Sequence, residues 1–297
     1  MEEIDPMIGK ILVAVSGTGH TEEMLNALID LPCIAQAQVT LLHVVTPQAS
    51  AQDMVAKQAE GVEILKNSLA KIHVCRPEGD STACLKPAQV TTMLREGDPK
   101  DVVPRVADEL GVDLLIMGSR GLGRLRAILE NSVSQYVFQL ASRPMLLVKD
   151  DTYVEKIQRV LVAYNGSPGA KQSLEMALFL LRDLKGGELV LAGVNPTLQG
   201  VTLAELNQHP EASPILAEAI QKIRQRGVKY RCVLREGDPG VTLCQIAQEV
   251  AADLVLLGSP DRRPTIARSL VDLDRLLGNS VSDYVRVHAD SPVLLVR

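Results

Sequence analysis

Two short stretches carry residue types suited to holding a phosphate. The first is Gly118-Ser119-Arg120-Gly121, followed after nine further residues by Asn131-Ser132-Val133. Glycines flanking a turn let backbone N–H groups approach phosphate oxygens, because no Cβ stands in the way. Ser132 adds a hydroxyl near the start of a helix, where the first N–H groups are unpaired and the dipole is positive. Arg120, Arg124 and Arg126 bring positive charge to the connecting loop. The second stretch, SGTGHTEEM at 16–24, sits between the apolar run ILVAV and the helical pattern LNALID. Its Ser16, Thr18 and Thr21 offer hydroxyls at a helix start, and Glu22 and Glu23 suit the first turn of that helix. No activated nucleophile, metal cluster or acid–base pair stands out elsewhere.

The elements that must position these residues come in two copies. ILVAVSG at 11 recurs as VLVAYNG at 160, and LREGDP at 94 recurs unchanged at 234. LLIMGS at 114 returns as LVLLGS at 254, NSVSQYV at 131 as NSVSDYV at 279, and SRPMLLVK at 142 as DSPVLLVR at 290. The same blocks in the same order mean one domain repeated, with boundaries at 1–150 and 151–297. In the first copy the pattern predicts strands over 10–15, 38–45, 89–95, 113–118 and 144–148. Helices are predicted over 21–30, 51–71, 101–110 and 128–141. DLLIMG is apolar on consecutive positions, as a central parallel strand covered on both faces requires. Val55, Ala59, Val62, Leu65, Leu69 and Ile72 recur at steps of three or four and predict the buried face of the second helix. GDP before each third helix combines an Asp N-cap with Pro at the first helical position, and Ser167-Pro168 does the same. Pro104 implies that its helix begins near Asp101 or is kinked. Strand–helix alternation of this kind implies two doubly wound parallel α/β sheets of about five strands each. Their ligands are expected at the carboxyl ends of the strands, beside the topological switch point.

Taken as a whole, the repeat resembles the universal stress protein family in a tandem two-domain form. The block from Gly118 to Ser132 matches that family's ATP-binding pattern of Gly, two residues, Gly, nine residues, Gly and Ser or Thr. Asn131 stands in place of the last glycine, and asparagine tolerates a left-handed backbone better than most residues. The resemblance implies an adenine-nucleotide site formed by Ala14, Ser16, Val44, Met117, Gly118, Arg120, Gly121, Asn131, Ser132 and Val133. Ser16 takes the position where the family usually has an aspartate, and Asn165 takes it in the second copy. The implied ligand is ATP or another adenine nucleotide, with Mg2+ as an accompanying ion, in a regulator rather than an enzyme; slow ATP hydrolysis is compatible with it.

The second copy departs further. Asp261 stands where the second glycine belongs and the loop before Asn279-Ser280 is longer, so this half is expected to bind little or no ATP. Arg262, Arg263 and Arg268 read first as a solvated loop, with capture of another anion as the alternative. The loop at Ser16 also looks like the flavin-phosphate loop of flavodoxins. The tandem repeat is foreign to that family, however, and 2% aromatic content leaves few rings to stack on a flavin. It is also similar to the SGGxDS loop of ATP pyrophosphatases, but Thr18 and His20 break that pattern. The adopted reading makes it a variant of the stress-protein first turn, with Thr18 or Thr21 capping the helix. A ligand-free interaction protein is the remaining alternative.

Composition bounds the partners. A formal charge of −5 gives no reason to expect nucleic acid or an anionic membrane surface. The acidic opening MEEIDPMIGK lacks the basic start and apolar stretch of a signal peptide, which predicts a cytoplasmic protein. Cys33, Cys75, Cys84, Cys232 and Cys244 show no paired ligand spacing and read as reduced thiols. His43 reads as a packed, hydrogen-bonded histidine. PMLLVK and PVLLVR read as terminal strands through which, as in the family's dimers, the two domains would pair within one chain. A homodimer and an unidentified protein partner complete the expectations.

Overall fold

The computed structural model describes residues 8–17, 20–34, 36–72, 85–119, 133–140, 142–149, 154–198, 200–258 and 280–297. The chain divides into two units, 1–156 and 157–297. In the first, β1 (Lys10–Ala14), α1 (Thr21–Ile29), β2 (Gln38–Val45), α2 (Ala51–Lys71), β3 (Val90–Glu96), α3 (Pro99–Leu110), β4 (Leu114–Ser119), α4 (Val133–Leu140) and β5 (Met145–Lys149) alternate along the chain. All strand pairs are parallel and the spatial order is β3-β2-β1-β4-β5. The chain therefore builds outward from β1 to β3, then returns to the other side of β1 with β4. That reversal is the switch point. Ile11, Leu12 and Val13 of β1 and Leu114, Leu115 and Ile116 of β4 are buried, as consecutive apolar residues in a doubly covered strand must be.

The second unit repeats the plan with β6 (Arg159–Ala163), α5 (Pro168–Leu180), β7 (Glu188–Val194), α6 (Leu203–Gln208), α7 (Pro214–Gln225), β8 (Lys229–Arg235), α8 (Pro239–Glu249), β9 (Leu254–Gly258), α9 (Val281–His288) and β10 (Val293–Val296). Its parallel order, β8-β7-β6-β9-β10, matches the first unit strand for strand. Where the first unit has the single 21-residue α2, the second has two helices, the former opened by a Thr202–Glu205 capping box.

Local rules explain the element ends. Asp98 and Asp238 cap α3 and α8 by accepting from the N–H groups of Lys100 and Val241, each with proline next in sequence. Ser167 caps α5 in the same way, accepting from Ala170 N–H. The helix holding Pro104 starts at Pro99, two residues before the predicted Asp101, so Pro104 lies inside it. Its ring cannot donate to a carbonyl one turn back. At the amino ends of the strands, one Asp113 oxygen accepts from the N–H groups of Gly9 and Lys10, both at 2.8 Å. Asp253 repeats this with Gln158 and Arg159. Both carboxylates tie the first strand of a unit to its fourth.

The face of α2 differs from its predicted one. Leu65 and Ile72 are buried, but Val55, Val62 and Leu69 are 66%, 55% and 39% exposed. The buried stripe of the helix instead runs through Gly61, Leu65 and Ser68. Close approach decides this: a methyl on Gly61 would lie 2.8 Å from Leu94 and 2.9 Å from the His43 ring, so only glycine lets α2 settle on β2 and β3 at this depth.

Candidate functional site

The carboxyl ends of β1 and β4 bring together part of the set expected to hold a nucleotide. Ala14 and Met117 are register partners, and Gly118 follows Met117. Ser16 and Val44 each lie two residues past the Ala14–Leu42 pair, Ser16 exposed at the mouth and Val44 half-buried on β2. Val133 is the first residue of α4. Arg120, Gly121, Asn131 and Ser132 lie outside the described residues, as do Thr18, Arg124, Arg126, Cys75 and Cys84. In the second unit the same holds for Asp261, Arg262, Arg263, Arg268 and Asn279.

The turn after β1 is shaped by Gly17, whose φ of +78° belongs to the left-handed region. Gly166 adopts the same φ at the matching place in the second unit. A methyl on Gly17 would meet Ile64 of α2 at 3.1 Å, so the turn leans on α2. His43 donates from Nδ1 to the Val15 carbonyl at 2.8 Å and sits beside Gly61, which makes it the packed histidine expected. The cap of α1 differs from expectation: His20 occupies the N-cap position without a side-chain cap bond, and Thr21 is the first helical residue. Thr21 is buried instead, with its hydroxyl beside Gly118.

Charge at the start of α1 is already balanced. Glu22 and Glu23 lie in the first turn, and the buried Glu22 carboxylate accepts from the Ser68 hydroxyl of α2 at 2.5 Å. Two carboxylates at the positive end of a short helix satisfy its dipole and oppose a phosphate there. The start of α4, with Ser132 just before it, carries no such acids among its own residues.

The two switch points are not alike. Among the described residues, a methyl on Gly118 would meet only the Thr21 hydroxyl oxygen, at 3.6 Å, which is ordinary contact. On Gly258 it would lie 2.5 Å from the Gly169 carbonyl oxygen and 2.7 Å from the Ala170 nitrogen, so the first turn of α5 is pressed onto the end of β9. Ser280, the counterpart of Ser132, caps α9 by accepting from Asp283 N–H at 3.1 Å and donating to the Asp283 carboxylate at 2.6 Å. Its only hydroxyl proton is thus directed to that carboxylate, which Arg286 also pairs with at 3.7 Å. The first copy has neutral Gln135 in place of Asp283. Sequence reasoning passed over this pair, although it is the one difference between NSVSQYV and NSVSDYV.

A depression of about 450 Å³ lies on α7 and the turn before it, lined by Glu211, Ala217, Ile220, Gln221, Arg224 and Gln225. It includes none of the switch-point residues and is open to solvent. Among the described residues no helix is long and apolar enough to cross a membrane.

Strand order, switch point and glycine placement define an open, doubly wound α/β domain built twice in tandem. The sequence profile of the universal stress protein family matches residues 7–149 and again 156–297, and the chain belongs to that family in tandem form. It is 25% identical to a universal stress protein of Mycolicibacterium smegmatis over 298 residues, which covers 97% of this chain and 96% of the relative. A universal stress protein of Bacillus subtilis is 30% identical over 148 residues, 48% of this chain and all of the relative. The crystal structure of a universal stress protein from Archaeoglobus fulgidus superimposes with a TM-score of 0.70 at 24% identity, covering 97% and 96% of the two chains.

Proposed function

We propose that the chain is a cytoplasmic regulator of the stress response that binds one adenine nucleotide, ATP, in its first domain, 1–150. Ala14, Ser16, Val44, Met117 and Gly118 would surround the nucleoside, and Arg120, Gly121, Asn131, Ser132 and Val133 would hold the phosphates, with Mg2+ as a companion ion. Occupancy would stabilise the 118–133 loop and alter a surface read by a protein partner. The second domain, 151–297, would contribute no nucleotide site.

The observation that carries this reading is the unequal room at the two switch points. Among the described residues Gly118 faces one hydroxyl across an ordinary contact distance, whereas Gly258 is pressed against helix backbone. The Ser280–Asp283 pair points the same way, because Ser280 gives its hydroxyl proton to a carboxylate rather than to a phosphate. Flavin phosphate at Ser16–Thr21 is disfavoured by Glu22 and Glu23 in the helix turn that would have to receive it.

The test is mass spectrometry of small molecules released by denaturing protein purified without added nucleotide, followed by titration. An adenine nucleotide near one per chain, lost when Gly121 is replaced by leucine in a folded variant, supports the proposal. Released FMN overturns it. An empty protein that also fails to bind ATP on titration leaves the ligand-free interaction role.

A further inference from the structure

One corner of the second unit is strongly basic although the chain as a whole carries −5. The run KIRQRGVKYR, 222–231, contains five cations and no acid, and forms the last turn of α7, the bend at Gly227 and the start of β8. Arg159 joins it, because the strand register aligns Arg159, Glu188 and Lys229 across β6, β7 and β8. Among the described residues two carboxylates pair with these six cations. Glu188 is shared by Arg159 at 2.8 Å, Lys229 at 3.6 Å and Arg231 at 3.8 Å. Glu175 is shared by Lys222 at 2.8 Å and Arg226 at 3.9 Å. Positive charge is left in excess, and Lys229 is 74% exposed.

The same residues sit on a sheet edge. Among the described residues β8 pairs with β7 alone. The Arg235 carbonyl accepts from Asn195 N–H on the β7 side, so the backbone groups of its neighbour Leu234 point outward. Both are taken by the Asn207 side chain of α6, at 2.9 Å each. Alternation turns the backbone groups of Tyr230 and Cys232 outward as well, and no described residue bonds them on that side. The edge is thus capped at Leu234 and open between Lys229 and Cys232, where Lys229 and Arg231 lie, with Glu211 as the acid that acts on Cys232 at its far end.

We propose that this open half of β8 takes up an extended acidic segment of a partner protein as an added strand. The segment's backbone pairs with Tyr230 and Cys232, and its Asp or Glu side chains on one face meet Lys229 and Arg231. Cations on an edge strand also repel the same edge of another copy, so the charge that deters self-pairing selects an acidic strand. Nucleic acid fits less well: the chain is net negative, and Tyr230, the one aromatic in the run, has Arg224 bonded to its hydroxyl at 3.0 Å and lying over its ring.

The test is fluorescence anisotropy of a labelled peptide of alternating Val and Glu, titrated with the full chain. Expected are saturable binding that weakens about tenfold between roughly 50 and 300 mM salt, and a loss of about tenfold or more in Lys229→Glu, with circular dichroism confirming that the variant is folded. Lys66→Glu, an exposed site in the first unit, leaves binding unaltered. N-methylation of alternate peptide residues abolishes it. No binding at about 1 mM protein overturns the proposal, as does equal binding by Lys229→Glu or by the N-methylated peptide. Tighter binding of oligo-dT or anionic vesicles through Lys229 overturns it in favour of nucleic acid or a membrane surface. None of these readouts depends on nucleotide binding in the first domain.

Discussion

Replacing Gln135 with aspartate would bring into the first domain the Ser–Asp pair of the second, without the Arg286 that lies 3.7 Å from Asp283, since Phe138 stands at that place. At the start of α9 the Ser280 hydroxyl gives its proton to Asp283 at 2.6 Å, and the same exchange between Ser132 and an aspartate at 135 would remove a phosphate donor. A phosphate oxygen bonded to that hydroxyl would lie about 5 Å from the new carboxylate, and at an effective dielectric near 20 the repulsion is ~3 kcal/mol per unit charge. Exposure to solvent reduces this to about 1–2 kcal/mol, and the lost hydrogen bond adds about 1 kcal/mol. The sum, about 2–3 kcal/mol, corresponds to an ATP dissociation constant roughly 30- to 150-fold weaker. An acid in the first turn favours the helix, so the fold should hold. Isothermal titration with ATP is the assay, with circular dichroism as the control and Gln135→Asn as a neutral comparison. Affinity within about threefold of the parent in a folded Gln135→Asp protein would refute the reasoning. The reverse change, Asp283→Gln, should not create a second site, because α5 still presses on Gly258.

The two switch-point glycines should respond differently to a methyl group. Gly258→Ala forces the new carbon against helix backbone and should cost about 1–3 kcal/mol in denaturant unfolding, whereas Gly118→Ala should be close to neutral; equal losses would contradict the described geometry. A pH series tests the cluster at Glu188, whose carboxyl is held below its ordinary 4.5 chiefly by the hydrogen bond from Arg159, with Arg231 and Lys229 assisting against burial. A lowered folded value means stability that is present above pH 4.5 and lost as pH falls through the folded value. Glu188→Gln should therefore cost about 1 kcal/mol at pH 7 and show a shallower loss on acidification than the parent. Identical pH profiles would refute this assignment. The same variant should tighten binding of the acidic peptide, since it removes the anion shared by three cations.

Much of the architecture is legible in the repeated blocks. Strand 38–45 and helix 51–71 lie where periodicity predicts them, and Asp98, Ser167 and Asp238 cap their helices as residue type alone requires. The signals are local: an N-cap needs one side chain and the next turn, and a buried parallel strand needs only an unbroken apolar run. The orientation of α2 was not legible in the same way. Apolar residues lie on more than one side of it, and the helix turns Val55, Val62 and Leu69 outward because Gly61 offers the closest approach to His43 and Leu94, residues 18 and 33 positions away.

The candidate site divides along the same line. Sequence alone determined the doubling of the domain, the strand–helix order and the glycine at the end of each fourth strand, since these depend on composition and spacing within short segments. Tertiary structure alone decided that Gly118 faces a side chain while Gly258 faces helix backbone, that Thr21 is buried rather than capping, and that Ser280 spends its proton on Asp283. Each depends on how far one element stands from another, and that distance is set by packing summed over the whole domain rather than by any segment on its own.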